Sequence, residues 1–303
     1  MTELQKRKLG RTGLLVTTLG YGAMELRGAP RGPKVTDEDA ERLLNGVLDA
    51  GINFIDTSID YGRSEELIGR FIAHRRGEYY MASKCGCVVG GAQGEHVHTA
   101  GNIRHGVENS LRLLKTDHLD LVQFHRSLTL QEFEAEGALQ ELQKLKAEGK
   151  VRFLGVSGVL PNLDEQIQSG VFDAFQIPYS ALQREHEDVI SRADAAGAGT
   201  IIRGGVARGT PDDWQRTYYM VPSGTLQDRW QQANLDQLLD GSPRVDFTLR
   251  FTLSHPALHT TIVGTRNLEH LRANVRAAKL GPLPADVLAE AKRRLSAAAA
   301  NAA

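Results

Sequence analysis

Four residues of this sequence have side chains that together suit proton transfer to a carbonyl oxygen: Asp56, Tyr61, Lys84 and His125. Reduction of a carbonyl by hydride needs a proton for the developing alkoxide. A free tyrosine, with a pKa of about 10, is a poor donor near neutral pH. An adjacent ammonium stabilises tyrosinate, and a buried carboxylate keeps that ammonium charged. The imidazole can polarise the carbonyl by a hydrogen bond.

Each of the four residues also has a purely structural interpretation. Asp56 could cap a turn, Tyr61 could anchor a loop, Lys84 could end a strand in solvent, and His125 could be a hydrogen-bonded core histidine. The chemical interpretation therefore depends on whether the fold brings the four side chains together.

The order of secondary structure predicts how these residues are positioned. Short β-branched or aromatic runs alternate with longer helical stretches, which favours a parallel sheet with right-handed crossovers. At 303 residues, a closed (β/α)8 TIM barrel is favoured over an open sheet. The dinucleotide fingerprint of an open sheet fails, because Glu25 stands where its third glycine belongs. The predicted strands are 17–22, 53–56, 78–84, 119–125, 151–157, 173–178, 199–203 and 259–264.

The segments around these strands complete the predicted barrel. RKLGRTGLLV has the pattern of an N-terminal β-hairpin that turns at Arg11-Thr12-Gly13 and could plug the bottom of the barrel. Thr36 and Ser64 are predicted helix N-caps, each followed by acidic residues. Since no linker divides the chain, residues 1–303 are predicted to form one barrel domain.

The predicted fold gathers the four residues at one end of the barrel. Catalytic groups of such barrels lie at the C-terminal ends of the strands. Asp56, Lys84 and His125 end three consecutive predicted strands, and Tyr61 lies in the loop just after Asp56. Their coincidence at adjacent strand ends favours a catalytic group over four unrelated structural residues.

The sequence around these residues resembles the aldo-keto reductase family. The segment GINFIDTSIDYGRSEELIGRF is similar to the family signature, in which an aspartate and a tyrosine stand five positions apart. MASKCG and LDLVQFHR place a lysine and a histidine as the family does, and the similarity runs from about residue 7 to 280. The resemblance implies a catalytic tetrad of Asp56, Tyr61, Lys84 and His125 and a nicotinamide cofactor.

The resemblance also implies contacts to the nicotinamide end of that cofactor. GVSG matches the family's G-V-S-N motif, so Ser157 is retained while Gly158 replaces an asparagine that binds the carboxamide. Gln176 matches a glutamine that contacts the same amide. Arg203 stands where a residue stacks on the ring, as a guanidinium plane can do. The positions at the nicotinamide ribose are Gly22 and Met24.

The segment IVGTRNLEHLRAN is similar to the family's adenine-end segment. Its loop leads into a helix start, where backbone N–H groups and the helix dipole favour a phosphate. Arg266 suits a 2′-phosphate, which favours NADPH (NADP) over NADH. The predicted adenine-end residues are Gly264, Thr265, Arg266, His270 and Asn274.

Other clusters are interpreted as structural. Cys85 and Cys87 have no further partner in a zinc or iron–sulfur pattern, so we interpret them as inert loop thiols and expect no metal, with redox sensitivity near the site as the alternative. His96 and His98 have metal-like spacing, but a solvated or substrate-facing loop is the simpler interpretation. The aromatic residues after the seventh predicted strand could be either packing core or substrate wall: Trp214, Tyr218, Tyr219 and Trp230.

Bulk properties limit the partners. The formal net charge is −1 with acids and bases interspersed, so neither nucleic acid nor an anionic membrane is implied as a partner. No apolar run approaches a membrane span and the N-terminus lacks a signal-peptide pattern, which favours a reduced, cytoplasmic chain. The oligomeric state is not indicated.

Three functions fit the sequence. The first is an NADPH-dependent oxidoreductase that interconverts an aldehyde, ketone or sugar-like carbonyl and an alcohol. The second is a nucleotide sensor or regulatory subunit, because the family includes channel-associated β-subunits of this fold. The third is a barrel aldolase or isomerase that uses Lys84 as a Schiff-base amine, which leaves the adenine-end segment unexplained. The intact tetrad favours the first.

Overall fold

Eight parallel strands close into a barrel in the computed structural model of this chain, which describes residues 3–209, 211–213 and 223–302. The strands follow one another around the barrel in chain order, and the last pairs with the first. The predicted (β/α)8 barrel is confirmed, and every predicted strand agrees with an observed one to within two residues at each end. The barrel strands are β3 (Leu19–Gly22), β4 (Phe54–Asp56), β5 (Tyr80–Cys85), β6 (Leu119–Phe124), β7 (Val151–Ser157), β8 (Ala174–Pro178), β9 (Gly199–Arg203) and β10 (Thr260–Val263).

An antiparallel hairpin precedes the barrel, as the sequence predicts. Strands β1 (Lys6–Lys8) and β2 (Leu15–Thr17) pair across a turn that ends at Gly13. Gly13 has φ 72°, a left-handed conformation that glycine adopts at little cost. Leu9, in the turn, is fully buried in a cluster with Phe54 and other side chains from the first three residues of the barrel strands. The hairpin therefore closes the N-terminal end of the barrel.

Helices follow the strands and bury their apolar sides against them. In the first of them, Thr36 accepts a hydrogen bond from the backbone N–H of Asp39, so the predicted cap is confirmed. No helix among the described residues is long and apolar enough to span a membrane. The helices are α1 (Asp37–Asp49), α2 (Ser64–Phe71), α3 (Ala100–Leu114), α4 (Leu130–Ala135), α5 (Ala138–Ala147), α6 (Asn162–Gln168), α7 (Glu187–Ala195), α8 (Ser223–Gln232), α9 (Arg244–Leu253), α10 (Leu268–Leu280) and α11 (Ala285–Ala302).

The predicted cap at Ser64 is wrong. Ser64 is the first residue of α2, and Arg63 occupies the cap position without a side-chain hydrogen bond. The Ser64 hydroxyl donates to the carbonyl of Ala23 at 3.0 Å and lies 2.8 Å from Thr57 Oγ1. Ser64 is fully buried, so its hydroxyl ties α2 to the segment directly after β4 instead of capping the helix.

Side chains that point into the barrel form two layers. The layer beside the N-terminal hairpin is apolar, and the layer nearer the C-terminal ends of the strands is polar. Phe54 and Ala82 belong to the buried cluster that the hairpin covers. Because successive side chains of a strand point to opposite faces, the residues two positions later, Asp56 and Lys84, point into the same interior one layer higher. The sequence of β4 and β5 therefore places this acid and this base together near the open end.

Trp230 belongs to the packing core. The sequence had left open whether it lies in the core or in a substrate-binding wall. It is buried in α8 and meets the ring of Phe247 edge to face, with centroids 6.0 Å apart. Its indole Nε1 donates to Asp236 at 3.0 Å. The other aromatic residues of that group lie outside the described residues: Trp214, Tyr218 and Tyr219.

Candidate active site

Asp56 and Lys84 form a buried ion pair at the C-terminal ends of β4 and β5. Lys84 Nζ lies 2.5 Å from Asp56 Oδ1 and donates to the carbonyl of Thr57 at 2.8 Å. The exposed fractions of the Lys84 and Asp56 side chains are 0% and 1%. Such a pair is tolerated away from water only when hydrogen bonds satisfy the remaining polar atoms. The other oxygen of Asp56 must therefore have partners as well.

Two buried amides hold that second oxygen. Gln123 Nε2 and Gln176 Nε2 each donate to Asp56 Oδ2 at 2.9 Å. Gln176 Oε1 in turn accepts from the Ser157 hydroxyl at 3.0 Å. The sequence reasoning did not single out Gln123, although it lies on the same strand face as His125, two positions earlier. Side chains from four strands thus fix the carboxylate of Asp56.

Tyr61 lies over the buried ammonium. Its backbone N–H donates to the carbonyl of Ser58 at 2.9 Å, which forms the turn after β4. Lys84 Nζ is 4.9 Å from the centroid of the Tyr61 ring. Burial lowers the pKa of Lys84, because it disfavours the charged ammonium. The interactions with Asp56 and Tyr61 outweigh this effect, so the pKa of Lys84 lies above its ordinary value. Lys84 is therefore a permanent cation beneath Tyr61 at neutral pH.

His125 joins this group from the residue directly after β6. Its ring meets the Tyr61 ring edge to face, with centroids 5.8 Å apart and planes at 79°. Burial and the nearby ammonium of Lys84 hold the pKa of His125 well below its ordinary value. A neutral imidazole donates from one nitrogen and accepts at the other. The structure thus brings the four predicted catalytic residues into one group, and their roles stay predictions.

A cleft of about 1250 Å³ extends from this group to the start of α10. Asp56 and Tyr61 line one part of the cleft. Among the described residues, its lining does not include Lys84, His125 or Ser157; Ser157 instead lies behind Gln176, to which it donates. The predicted cofactor-binding residues that do line the cleft are Gly22, Met24, Gln176, Arg203, Gly264, Thr265, Arg266, His270 and Asn274.

Side chains of the loop before α10 accept hydrogen bonds from backbone N–H groups at the start of this helix. Thr265 Oγ1 accepts from the backbone N–H of Asn267 at 3.0 Å, and Asn267 Oδ1 accepts from that of Glu269 at 2.7 Å. Two N–H groups at this helix start therefore already have partners, which leaves recognition of an anion mainly to side chains. Arg266 is exposed and, within the described part of the chain, forms no hydrogen bond or ion pair.

Acidic side chains that the sequence analysis did not assign to the site also line the cleft. Burial raises the pKa of Asp246, and the nearby carboxylate of Asp212 raises it further. Carboxylates repel phosphate oxygens and accept hydrogen bonds from hydroxyl groups. These residues come from separate segments, so only the folded chain brings them to one cleft. They are Glu25, Asp39, Asp212, Asp213 and Asp246.

Gly158, expected from the sequence as a lost cofactor contact, is required for space. A Cβ atom at this position would lie 2.9 Å from Leu163 Cδ2 and 3.1 Å from Ser127 Oγ. Leu163 is fully buried, and the Ser127 hydroxyl both donates to and accepts from the backbone of Val159. Neither neighbour can move freely. Gly158 is not among the glycines with positive φ, so the constraint is steric rather than conformational.

Gly158→Ala should lower the free energy of unfolding by about 1–3 kcal/mol, the usual cost of overpacking. Thermal or urea unfolding measures this change. The matched control is Gly101→Ala in the first turn of α3, where an added Cβ meets no atom within 4 Å. That variant should be as stable as the wild type or slightly more so, because alanine favours a helix. Unchanged stability of Gly158→Ala would show that the turn after β7 has room for a side chain.

The loop after β5 brings Cys87 and His96 beside His125. The sequence interpretation kept these residues apart, as inert thiols and a solvated or substrate-facing loop. Cys87 is buried, with Sγ 3.1 Å from His125 Nδ1 and 3.5 Å from His96 Nε2. A signal for this contact was present, because the turn-rich segment VVGGAQGE between Cys87 and His96 is typical of a hairpin, and the two residues pair as an antiparallel bridge.

Comparison with known proteins identifies the family. The model of the Aldo/keto reductase family matches residues 18–294. The chain therefore belongs to the aldo/keto reductase family and is an oxidoreductase. The uncharacterized oxidoreductase YqkF of Bacillus subtilis (strain 168) is 28% identical over 289 residues, which cover 91% of each chain. L-galactose dehydrogenase of Arabidopsis thaliana is 28% identical over 290 residues, or 91% of this chain and 89% of the relative.

Solved structures agree with this assignment. The holo form of aldo-keto reductase AKR11C1 from Bacillus halodurans superposes with a TM-score of 0.83 at 27% identity, over 96% of each chain. The putative aldo-keto reductase PA4992 of Pseudomonas aeruginosa gives a TM-score of 0.70 at 28% identity, over 92% of this chain and 97% of that one. Members of the family generally use NAD(P)H.

Proposed function

We propose that this chain is an NADPH-dependent oxidoreductase that interconverts a carbonyl and an alcohol, with Tyr61 as the proton donor. One observation carries the proposal: the buried Asp56–Lys84 pair lies directly beneath Tyr61 at one part of a cleft large enough for a dinucleotide. A reaction that protonates or deprotonates an oxygen at Tyr61 gives all three residues a role.

Each residue of the group has a separate task in this scheme. When bound, the cofactor supplies or accepts the hydride. Tyr61 donates its hydroxyl proton to the carbonyl oxygen, and the ammonium of Lys84 stabilises the phenolate that remains. Asp56 keeps Lys84 charged and in place. Neutral His125 donates a hydrogen bond that orients the carbonyl.

The cleft suits the cofactor in size and in donors. Its volume of about 1250 Å³ exceeds the roughly 300–1,000 Å³ of ordinary ligand pockets, as an extended dinucleotide requires. Gln176 and Arg203 would border the nicotinamide end. At the other end, the exposed guanidinium of Arg266 would pair with a 2′-phosphate, and His270 projects from the first turn of α10 beside it.

The structure weighs against the two other functions. A Schiff-base amine must be neutral to attack a carbonyl, whereas Lys84 is fully buried and its pKa is raised by the pairing with Asp56. A nucleotide sensor needs the cleft but no buried cation beneath a tyrosine. The complete group of Asp56, Tyr61, Lys84 and His125 therefore supports the enzyme over the sensor.

Turnover assays test the proposed function directly. The purified chain is mixed with NADPH or NADH and a panel of aldehydes, ketones and sugars, and loss of the reduced nicotinamide absorbance is followed. The reverse reaction is followed with oxidised cofactor and the corresponding alcohols. We expect NADPH-dependent reduction of at least one carbonyl class. Tight cofactor binding without turnover on any panel member would instead favour the sensor, and trapping of a substrate on Lys84 by borohydride would favour the Schiff base.

Arg266→Ala should weaken NADPH binding by about 1.5–3 kcal/mol, the range for a hydrogen bond to a charged group, and leave NADH binding unchanged. Titration of cofactor fluorescence measures both affinities. Arg272→Ala is the matched control, because Arg272 lies in the adjoining helix α10 but pairs with Glu269 and is not among the residues that line the cleft. Equal losses for both cofactors would show that Arg266 does not recognise the 2′-phosphate. Tighter NADH than NADPH binding in the wild type would point to the acidic lining as the dominant influence.

A further inference from the structure

Three side chains with metal-binding atoms meet next to the candidate active site. One possible ligand atom from each of Cys87, His96 and His125 lies within 4.8 Å of the other two. Cys87 Sγ is in contact with His96 Nε2 and with His125 Nδ1. They form what we call the Cys–His–His cluster. Cys87 is buried, whereas His96 and His125 are partly exposed, so solvent reaches the cluster from the histidine side. None of the roles proposed above uses Cys87 or His96.

The backbone holds the three residues in place. Cys87 and His96 face each other across an antiparallel bridge. On either side of it, Val88 N donates to the carbonyl of Glu95 at 3.2 Å, and Val97 N donates to that of Gly86 at 2.8 Å. His125 is attached to the same region, because its backbone N–H donates to the carbonyl of Cys85 at 3.1 Å. The cluster is thus preformed rather than carried on a free loop.

The distances suit a tetrahedral ion. Zinc bonds of about 2.3 Å to sulfur and 2.0–2.1 Å to nitrogen place tetrahedral sulfur and nitrogen ligands about 3.5 Å apart. The observed separations from Cys87 Sγ are 3.5 Å to His96 Nε2 and 3.1 Å to His125 Nδ1. Small rotations of these three side chains would therefore bring their ligand atoms to bonding distance of one ion. A thiolate with two imidazoles favours zinc over harder cations such as magnesium or calcium.

The outer contacts of His96 also match a metal ligand. A ligating histidine commonly donates its second ring N–H to a backbone carbonyl, which fixes the tautomer that binds the ion. His96 Nδ1 lies 2.7 Å from the carbonyl of Gly94. Arg126 Nε is also near this nitrogen at 3.3 Å, but the shorter contact to Gly94 determines where the proton lies. His96 Nε2 is then unprotonated, and it faces Cys87 Sγ.

A fourth corner of the tetrahedron is available beside Ser58. Its hydroxyl oxygen is 3.6 Å from Cys87 Sγ and 3.3 Å from His125 Nδ1. Three protein ligands with the fourth position taken by a hydroxyl or a water is an arrangement that zinc accepts.

We propose that the Cys–His–His cluster is a zinc site in which Cys87 Sγ, His96 Nε2 and His125 Nδ1 are the ligands. The thiol proton of Cys87 is released to solvent as the zinc–sulfur bond forms. Zinc on His125 Nδ1 leaves the ring proton on Nε2, so occupancy fixes the tautomer of His125. The site itself does not depend on which reaction the cleft catalyses.

Cobalt spectroscopy on the intact chain tests the proposal. Co²⁺ is added to chelator-treated protein, and the thiolate-to-cobalt charge-transfer band and the visible d–d bands are recorded. We expect one tetrahedral cobalt site per chain, which Zn²⁺ displaces. Cys87→Ser should abolish the charge-transfer band, and His96→Gln should weaken binding at least about 100-fold, since loss of outer-shell partners alone costs 10–100-fold.

Cys85→Ser is the matched control, because Cys85 is a buried cysteine two positions away whose Sγ is not part of the cluster. It should keep the cobalt spectrum of the wild type. Circular dichroism of each metal-free variant confirms folding, and His96→Gln provides a partly exposed substitution if Cys87→Ser is unstable. A wild-type chain without tetrahedral cobalt bands would overturn the proposal. Full binding by a folded His96→Gln variant would do so too.

Discussion

Tyr61→Phe should bind NADPH as the wild type does and reduce its substrate more slowly by a factor on the order of 10² or more. The substitution removes one hydroxyl and keeps the ring that lies over Lys84 and against His125. Ground-state contacts are therefore retained, while the proton donor is lost. An effect of this kind should appear in kcat and in kcat/KM together, because the missing interaction forms only as charge develops on the carbonyl oxygen.

The control is Tyr80→Phe, which removes a hydroxyl from the first residue of β5, in the layer beside the hairpin. It should turn over at the wild-type rate. Steady-state kinetics and a cofactor titration on both variants give the required comparison. Near-wild-type reduction by Tyr61→Phe would end its proposed role as the acid.

Lys84→Met should slow turnover as much as Tyr61→Phe does, and it should also destabilise the fold. Without the ammonium, the phenolate of Tyr61 loses its stabilising charge. Asp56 is left as a buried, uncompensated carboxylate, and breaking such a pair from one side costs about 3–5 kcal/mol. Because the pKa of Lys84 is raised, the contribution of the pair is present at neutral pH. The contribution from the Lys84 charge is lost as the pH rises through and above the ordinary lysine range.

A double variant separates these two effects. Asp56→Asn combined with Lys84→Met removes both charges and retains a side chain that can accept from Gln123 and Gln176. Stability should largely return, whereas turnover should stay low because the cation is still absent. Urea unfolding and pH–rate profiles measure both quantities. Recovery of turnover along with stability would show that Lys84 acts only as a structural partner of Asp56.

The sequence alone determined the barrel and the composition of the candidate active site. Strands such as 53–56 and 119–125 were recognisable because apolar and β-branched residues recur with the period of a strand, a signal carried by neighbours in the chain. The rule that barrel strands end at one face then joined Asp56, Lys84 and His125, although 28 and 41 residues separate them in succession. Tyr61 followed from its place in the next loop.

The tertiary structure alone decided which side chains touch. Gln123 reaches Asp56 and His96 reaches Cys87 because strands and hairpins align laterally in a particular register. Ser64 failed as a cap because its hydroxyl found a partner on a distant segment, the carbonyl of Ala23. Short-range patterns fix where a strand begins and which face it buries. Hydrogen bonds between strands depend on stagger, twist and rotamers, and these are set by the whole packed barrel rather than by any local run of residues.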